Sequence, residues 1–342
     1  MATHTAAARR SPLPRFRVPV APTVAVLVGG LGLLGVLWQA FEKGFGSEGN
    51  VPTFILITLN GLTLAGLYFI SASGLTLIFG LLRVTNLAHG ALFLLGGYLA
   101  LTLVQDAGVN WWLAAVLAMG ASGLVGLVMH QLFLRWNQGQ DLRQALITIA
   151  VSLILADQML AYFGGTPTQI LPPELLAQPL PLGLYDLSYP TFRIAMLAAA
   201  LLVGLVFWLV YKRTRVGMVV RAGVDDTQMT SALGVNVQLV FAVAFFVGSA
   251  LAGLGGVFAG TALSLAPGVD QSFLVSALVV VIVGGMGSLG GAALGALLLG
   301  LVEQYSSAYL PPEYSNLSAL LTFVLLAVIL AIRPTGLFGK IR

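Results

Sequence analysis

The chain reads as an all-α polytopic membrane protein: a bundle of about 8 transmembrane helices plus a broken, re-entrant helix pair. Three observations predict this. Only 8% of its 342 residues are charged, against roughly 25% in a soluble domain, so water cannot be the solvent for most of its surface. The 58% apolar fraction is gathered into long uninterrupted runs. The basic residues between the runs are gathered on one side. If the runs are spans, one side receives Arg9, Arg10, Arg15, Arg17, Arg83, Arg135, Arg143, Lys212, Arg213, Arg215, Arg221, Arg333, Lys340 and Arg342, and the other only Lys43 and Arg193. Basic residues accumulate on the cytoplasmic side of a bilayer, so both termini are expected inside, in a cell inner membrane.

Taken in order, Met1–Arg17 is polar, basic and proline-containing, and is expected to be a disordered cytoplasmic tail. The remainder, 18–342, is expected to form one transmembrane domain. A helix needs roughly 20 residues to cross about 30 Å of hydrocarbon. The candidate spans are 20–41, 53–82, 87–104, 111–134, 144–163, 191–211, 237–262 and 318–332. The first is longer than a signal-peptide core of about 7–15 residues, and Trp38-Gln39-Ala40-Phe41 is a poor cleavage site, so an uncleaved span is expected. The second is too long for one straight crossing, and Gly61, Gly66, Gly74 and Gly80 offer places to bend, tilt or break.

The region 274–302 is apolar but interrupted by Gly284-Gly285-Met286-Gly287-Ser288-Leu289-Gly290-Gly291. Counting sides from Asp270, outside, to Arg333, inside after one further span, makes this region start and finish outside. Two half-helices meeting at a glycine-rich turn satisfy that count; one tilted helix using glycine for close packing is the other reading. Non-helical backbone at membrane depth survives only inside protein or beside a water-filled cavity, and broken helices often mark a transport pathway. The 41 glycines, with spacings such as Gly253, Gly256 and Gly260, predict close helix packing.

Two polar loops stand out. The outer one, 164–190, holds six prolines and is expected to be an ordered periplasmic cap. The inner one, 212–238, carries Lys212, Arg213, Arg215, Arg221, Asp225, Asp226 and Gln228. Its stretch Asp226–Leu233 can form a short helix with Asp225 or Asp226 as N-cap. Such a helix is either a docking element for a cytosolic partner or part of a solvated loop.

Several chemistries are excluded. Without cysteine there are no disulfides or thiolate sites. No GxxxxGK[ST] loop precedes Lys43, Lys212 or Lys340, and there is no HExxH and no His–carboxylate cluster at ligand spacing, so no catalytic centre, metal or bound cofactor is expected. No basic patch interleaved with aromatics points to nucleic acid. Gly120-Ala121-Ser122-Gly123 spells the GxSG of rhomboid-type intramembrane proteases. Its serine would need a histidine base close by, yet His130 lies eight residues on along the same helix, roughly 12 Å away, and His89 lies near the cytoplasmic boundary. Polar residues within spans are functional candidates: Asn60, Thr63, Asn86, His89 and Asp157. A proton-coupled carrier would rely on Asp157. His89 is better placed to bond neighbouring backbone than to touch a solute.

Asn60-Gly61-Leu62-Thr63-Leu64-Ala65-Gly66, Gly74-Leu75-Thr76-Leu77-Ile78-Phe79-Gly80 and Asn86-Leu87-Ala88-His89-Gly90 resemble the first half of the H-type permease subunit of branched-chain amino acid ABC importers. Val283-Gly284-Gly285-Met286-Gly287-Ser288-Leu289 and Arg333-Pro334-Thr335-Gly336-Leu337-Phe338-Gly339 are similar to later motifs of that family, and the resemblance runs from about 53 to 342. It implies a subunit that pairs with a second, homologous permease, two cytosolic ABC ATPases that use the ATP, and a periplasmic solute-binding protein. The solutes implied are branched-chain or related amino acids, with urea, short amides or other small polar solutes carried by close relatives. The resemblance assigns ATPase coupling to the loop holding Arg221, Asp225, Asp226, Gln228, Gly234 and Asn236. It suggests Asn60, Thr63, Asn86, His89, Gly284, Gly285, Gly287 and Ser288 for the solute path or its gate. Three positions depart from the usual pattern: Gln228 where an acid is common, Thr230 for alanine, and Gly290 for proline. The first span with its basic tail is an extension.

Overall fold

The computed structural model describes residues 20–46, 50–82, 84–183, 185–225, 227–311, 313 and 317–339; the expected tail 1–17 and Asp226 lie outside them. The chain is helical almost throughout. In order come α1 (Val20–Phe45), α2 (Val51–Leu82), α3 (His89–Gln105), α4 (Trp111–Met129), α5 (Asp141–Phe163), α6 (Glu174–Ala177), strands β1 (Pro179–Pro181) and β2 (Ser188–Pro190), α7 (Thr191–Arg213), α8 (Arg215–Asp225), α9 (Thr227–Ala232), α10 (Val237–Ala262), α11 (Val269–Gly284), α12 (Leu289–Tyr309) and α13 (Leu317–Ile332). The α4 rod continues through a π turn at His130–Leu134 and a 3-10 turn at Arg135–Asn137. Six helices among the described residues are long and apolar enough to cross a membrane: α2, extended α4, α5, α7, α10 and α12. This is an all-α polytopic membrane protein.

The core forms where α10 packs on α2, α3 and α4, and α12 packs on α2. Helix α2 is one unbroken 32-residue helix. At 1.5 Å per residue it spans about 48 Å, well beyond the hydrocarbon thickness, without breaking at its glycines. Each glycine instead admits a different neighbour. Gly61 faces Leu301 and Gln304 of α12, Gly66 faces Leu197 and Ala200 of α7, Gly74 meets the backbone of Gly248 in α10, and Gly80 meets Gly287 beyond α11. Absence of side chains is used here for approach rather than for bending.

Between α2 and α3 the chain is irregular, yet Val84, Asn86 and Ala88 are buried. Buried backbone must find partners. Here Asn86 supplies two: its Oδ1 accepts from Ala88 N–H (3.1 Å) and its carbonyl from His89 N–H (3.2 Å). Thr148 of α5 accepts from Leu87 N–H at 3.3 Å. The His89 ring is fully buried, with Nε2 2.9 Å from the carbonyl oxygen of Ser71 in α2.

The pair α11–α12 returns to the side it started from. Its turn adopts positive φ at Gly285 (+99°) and Gly287 (+79°), and Ser288 Oγ caps α12 by accepting from Gly291 N–H at 3.1 Å. Gly287 lies against Gly80, one turn from the end of α2, so the turn sits at the basic end of the bundle. The helices extend past 274–302 in both directions, to Val269 and Tyr309. Asp270, Glu303 and Gln304 bounded the apolar run without ending the helices. Leu337 N–H donates to Val283 O (2.9 Å) and Phe338 N–H to Gly284 O (3.0 Å), so two motifs fifty residues apart form one backbone-bonded knot.

At the other end, segment 164–190 folds over the bundle. Ile170 N–H donates to Gly260 O (2.8 Å), Thr168 and Leu265 exchange backbone hydrogen bonds, and β1 and β2 pair antiparallel.

Candidate functional site

A cavity of about 420 Å³ lies at the end of the bundle opposite the basic one, among α2, α7, α11 and α12. Its lining is of two kinds. Leu64, Leu67, Met196, Leu263 and Phe273 form an apolar wall, while Asn60, Thr63, Tyr68, Arg193, Ser276, Glu303 and Gln304 contribute polar atoms. The polar groups are held in place. Asn60 Oδ1 accepts from the Arg193 guanidinium (2.5 Å) and from Tyr189 Oη–H (3.0 Å). The Tyr189 hydroxyl also lies 2.9 Å from Thr63 Oγ1, and Tyr68 Oη–H donates to Glu303 Oε2 at 2.6 Å. A half-buried guanidinium and a half-buried carboxyl thus line one open-sided cavity, each held by a neutral partner. Volume, concavity and a few convergent polar groups are the usual attributes of a small-molecule site.

Of the residues singled out in the sequence, Asn60 and Thr63 line this cavity. Asn86, His89 and the 284–288 turn do not. Asn86 and His89 satisfy the irregular segment before α3, and the turn is bonded to 337–338 at the basic end. Sequence reading passed over Tyr68, Arg193 and Glu303. Glu303 had a detectable signal, being a carboxylate inside an apolar helix, but it stands one residue beyond the run ending at 302. Arg193 was read only as an outer-side charge.

At the basic end, α8 and α9 connect α7 to α10, and α8 touches the end of α2. The Arg221 guanidinium donates to the Tyr211 carbonyl at the end of α7 and sits over the Tyr211 ring, 5.1 Å from its centroid. Asp225 closes α8 and Gln228 lies in α9. Gly234, at φ +84°, ends α9 with its N–H on Ser231 O (3.0 Å), and Asn236 caps α10 by accepting from Leu239 N–H (3.1 Å). Gly234 is the left-handed residue that lets the chain reverse between two helices.

Ser122 is fully buried in α4 against Gly253 of α10, and its Oγ has no hydrogen-bond partner among the described residues. Among the described residues no histidine is hydrogen-bonded to it. Asp157 lies exposed on α5, with no ion-pair partner among the described residues.

Residues 57–330 match the family described as branched-chain amino acid transport system / permease component. The chain belongs to this family. The permease is 27% identical over 309 residues to the high-affinity branched-chain amino acid transport system permease protein LivH of Escherichia coli (strain K12), covering 84% of this chain and 96% of that protein. It is 29% identical over 296 residues to the corresponding permease protein BraD of Pseudomonas aeruginosa, covering 82% and 94%. It is 24% identical over 289 residues to the probable branched-chain amino acid transport permease protein LivH of Methanocaldococcus jannaschii, covering 80% and 89%. Members of this family are membrane subunits of transport systems, so the serine protease reading falls away. The matched region leaves out α1 (Val20–Phe45), which packs on α13, α12 and α2.

Proposed function

We propose that this permease is the translocation subunit of an ABC importer in the cell inner membrane, moving branched-chain or related amino acids inward with both termini cytoplasmic. The observation that carries this reading is the pairing of a polar-lined cavity at one end with a two-helix element, α8–α9, at the other, in a chain of this family. The chain has no phosphate cradle of its own. It would need two cytosolic ATPases docking on α8–α9, a second homologous permease beside it, and a periplasmic binding protein delivering solute to the cavity. ATP would be bound by the partners.

Arg221, Asp225, Asp226, Gln228, Gly234 and Asn236 belong to the docking element. Arg221 ties α8 to the end of α7, and α8 touches α2, so a push on α8 reaches two helices that line the cavity. Asn60 and Thr63 belong to the solute path. Asn86, His89, Gly284, Gly285, Gly287 and Ser288 support the moving parts, either at the α3 entry or at the knot next to α2.

The test is uptake of labelled leucine by proteoliposomes holding the full complex. Arg221→Ala should leave ATP hydrolysis running while lowering leucine taken up per ATP about tenfold, a coupling loss of about 1.4 kcal/mol. Leucine accumulation by this chain without any ATPase would overturn the reading in favour of a self-sufficient carrier. That rival further requires Asp157→Asn to abolish uptake.

A further inference from the structure

We infer that the cavity is itself a solute-reading subsite for a free α-amino acid, with Arg193 receiving the carboxylate, Glu303 receiving the ammonium group, and Leu64, Leu263 and Phe273 receiving the side chain. This inference rests on the transport reading above and deepens it: the permease would select its solute instead of only passing what a binding protein delivers.

The first ground is an unpaired charge of each sign. Arg193 and Glu303 line the same cavity, yet no ion pair joins them, and among the described residues neither has an oppositely charged partner within 4.0 Å. Half-buried charges are costly when left unpaired and are retained where something pairs with them. A zwitterion carries a partner for each of them. Urea or a neutral amide would leave both uncompensated.

The second ground is the supporting hydrogen bonds. Arg193 is bonded to Asn60, which Tyr189 also holds, and Glu303 is bonded to the buried Tyr68. These partners are neutral, so they fix the orientation of each charged group without cancelling its charge. Orientation achieved before binding reduces the ordering cost on binding. The third ground is the wall. The apolar surface beside the two charges would bury an aliphatic side chain, and a volume of about 420 Å³ admits a leucine-sized solute with waters.

The test uses the full chain alone in lipid nanodiscs and saturation-transfer NMR, which reads weak binding directly. Leucine should give transfer signals on the wild-type chain. 4-Methylpentanamide, which has a similar aliphatic group and no charge, should neither give signals nor displace leucine. Arg193→Gln and Glu303→Gln should each weaken leucine binding about tenfold or more. Asn60→Ala, which leaves both charges present, should weaken it by a smaller factor. Thermal melting of each variant identifies any that fails to fold, and Asn60→Ala keeps the question answerable if a charge variant does. Leucine signals unchanged in both charge variants would overturn the proposal. So would equal competition by the neutral amide. Because no ATPase is present, failure here leaves the uptake experiment standing, and failure of coupling leaves this one standing.

Discussion

Helices α2 and α5 have the same mean hydropathy, yet 78% of the most apolar stretch of α2 is buried in the protein against 11% for α5. The same contrast separates α10, at 61%, from α7, at 11%. Hydropathy therefore says that a helix crosses lipid, and says nothing about where in the bundle it stands. Glycine says that. Helix α2 carries four glycines and α10 five, while α5 has none and α7 only Gly204. In lipid there is no hydrophobic force between apolar helices, so backbones that approach closely gain contacts that bulky side chains would block. The few buried residues of α5 make the same point from the other side. They are Gln144, Thr148 and Met159, and the first two hold the helix by hydrogen bonds to Asn137 O (2.6 Å) and from Leu87 N–H (3.3 Å). The central helices are joined by missing side chains, the peripheral one by polar side chains.

The largest effect should come from filling a central contact. A methyl at Gly96 would collide with the backbone of Gly253, where neither partner can give way. Gly96→Leu should abolish monodisperse protein on size exclusion, since overpacking that cannot relax costs on the order of 3 kcal/mol or more. Normal elution would show that α3 and α10 are free to separate. Next is Gly285→Val. Its φ of +99° is disfavoured for any L side chain, and Gly339 lies directly against it. A loss of about 1–3 kcal/mol is expected, read as a lower melting temperature in detergent. An unchanged melt would mean that the knot between 283–288 and 335–339 opens without consequence.

These contrasts also explain what was legible beforehand. The eight apolar runs 20–41 through 318–332 each map onto a helix, and among the described residues five of those helices, α2, extended α4, α5, α7 and α10, are long and apolar enough to cross a membrane. The pairing of α11 with α12 followed from counting sides. The role of Gly74 was not legible, because its partner, Gly248, lies far away in sequence. The same reason hid the cavity. Tyr68, Arg193 and Glu303 sit on three helices, and only the fold brings them together. Asn86 and His89 were visible as polar residues in an apolar setting, but a residue that satisfies backbone and one that meets solute look alike until hydrogen-bond partners are known.

On the peripheral side the effects should be smaller. Thr148→Val removes the acceptor of Leu87 N–H while keeping the side-chain shape. A cost of about 1 kcal/mol is expected, and a larger drop would mean that the segment before α3 depends on α5 for its conformation.

The smallest effect should be at Leu153, exposed on α5. Leu153 is 59% exposed, so Leu153→Ala removes little buried surface in this chain, and its stability should stay within the range of about 0.5 kcal/mol usual for surface positions. The absence of native cysteine makes the sharper version simple. Leu153→Cys supplies a unique thiol, and its reactivity towards a bilayer-confined maleimide reports what covers α5. Strong labelling in this chain alone that persists in the full complex would assign the face to lipid. Labelling that disappears on assembly would assign it to the second permease. The low burial of α5 would then be a property of the isolated subunit, and the rule that glycine marks central helices would have to be judged on the pair.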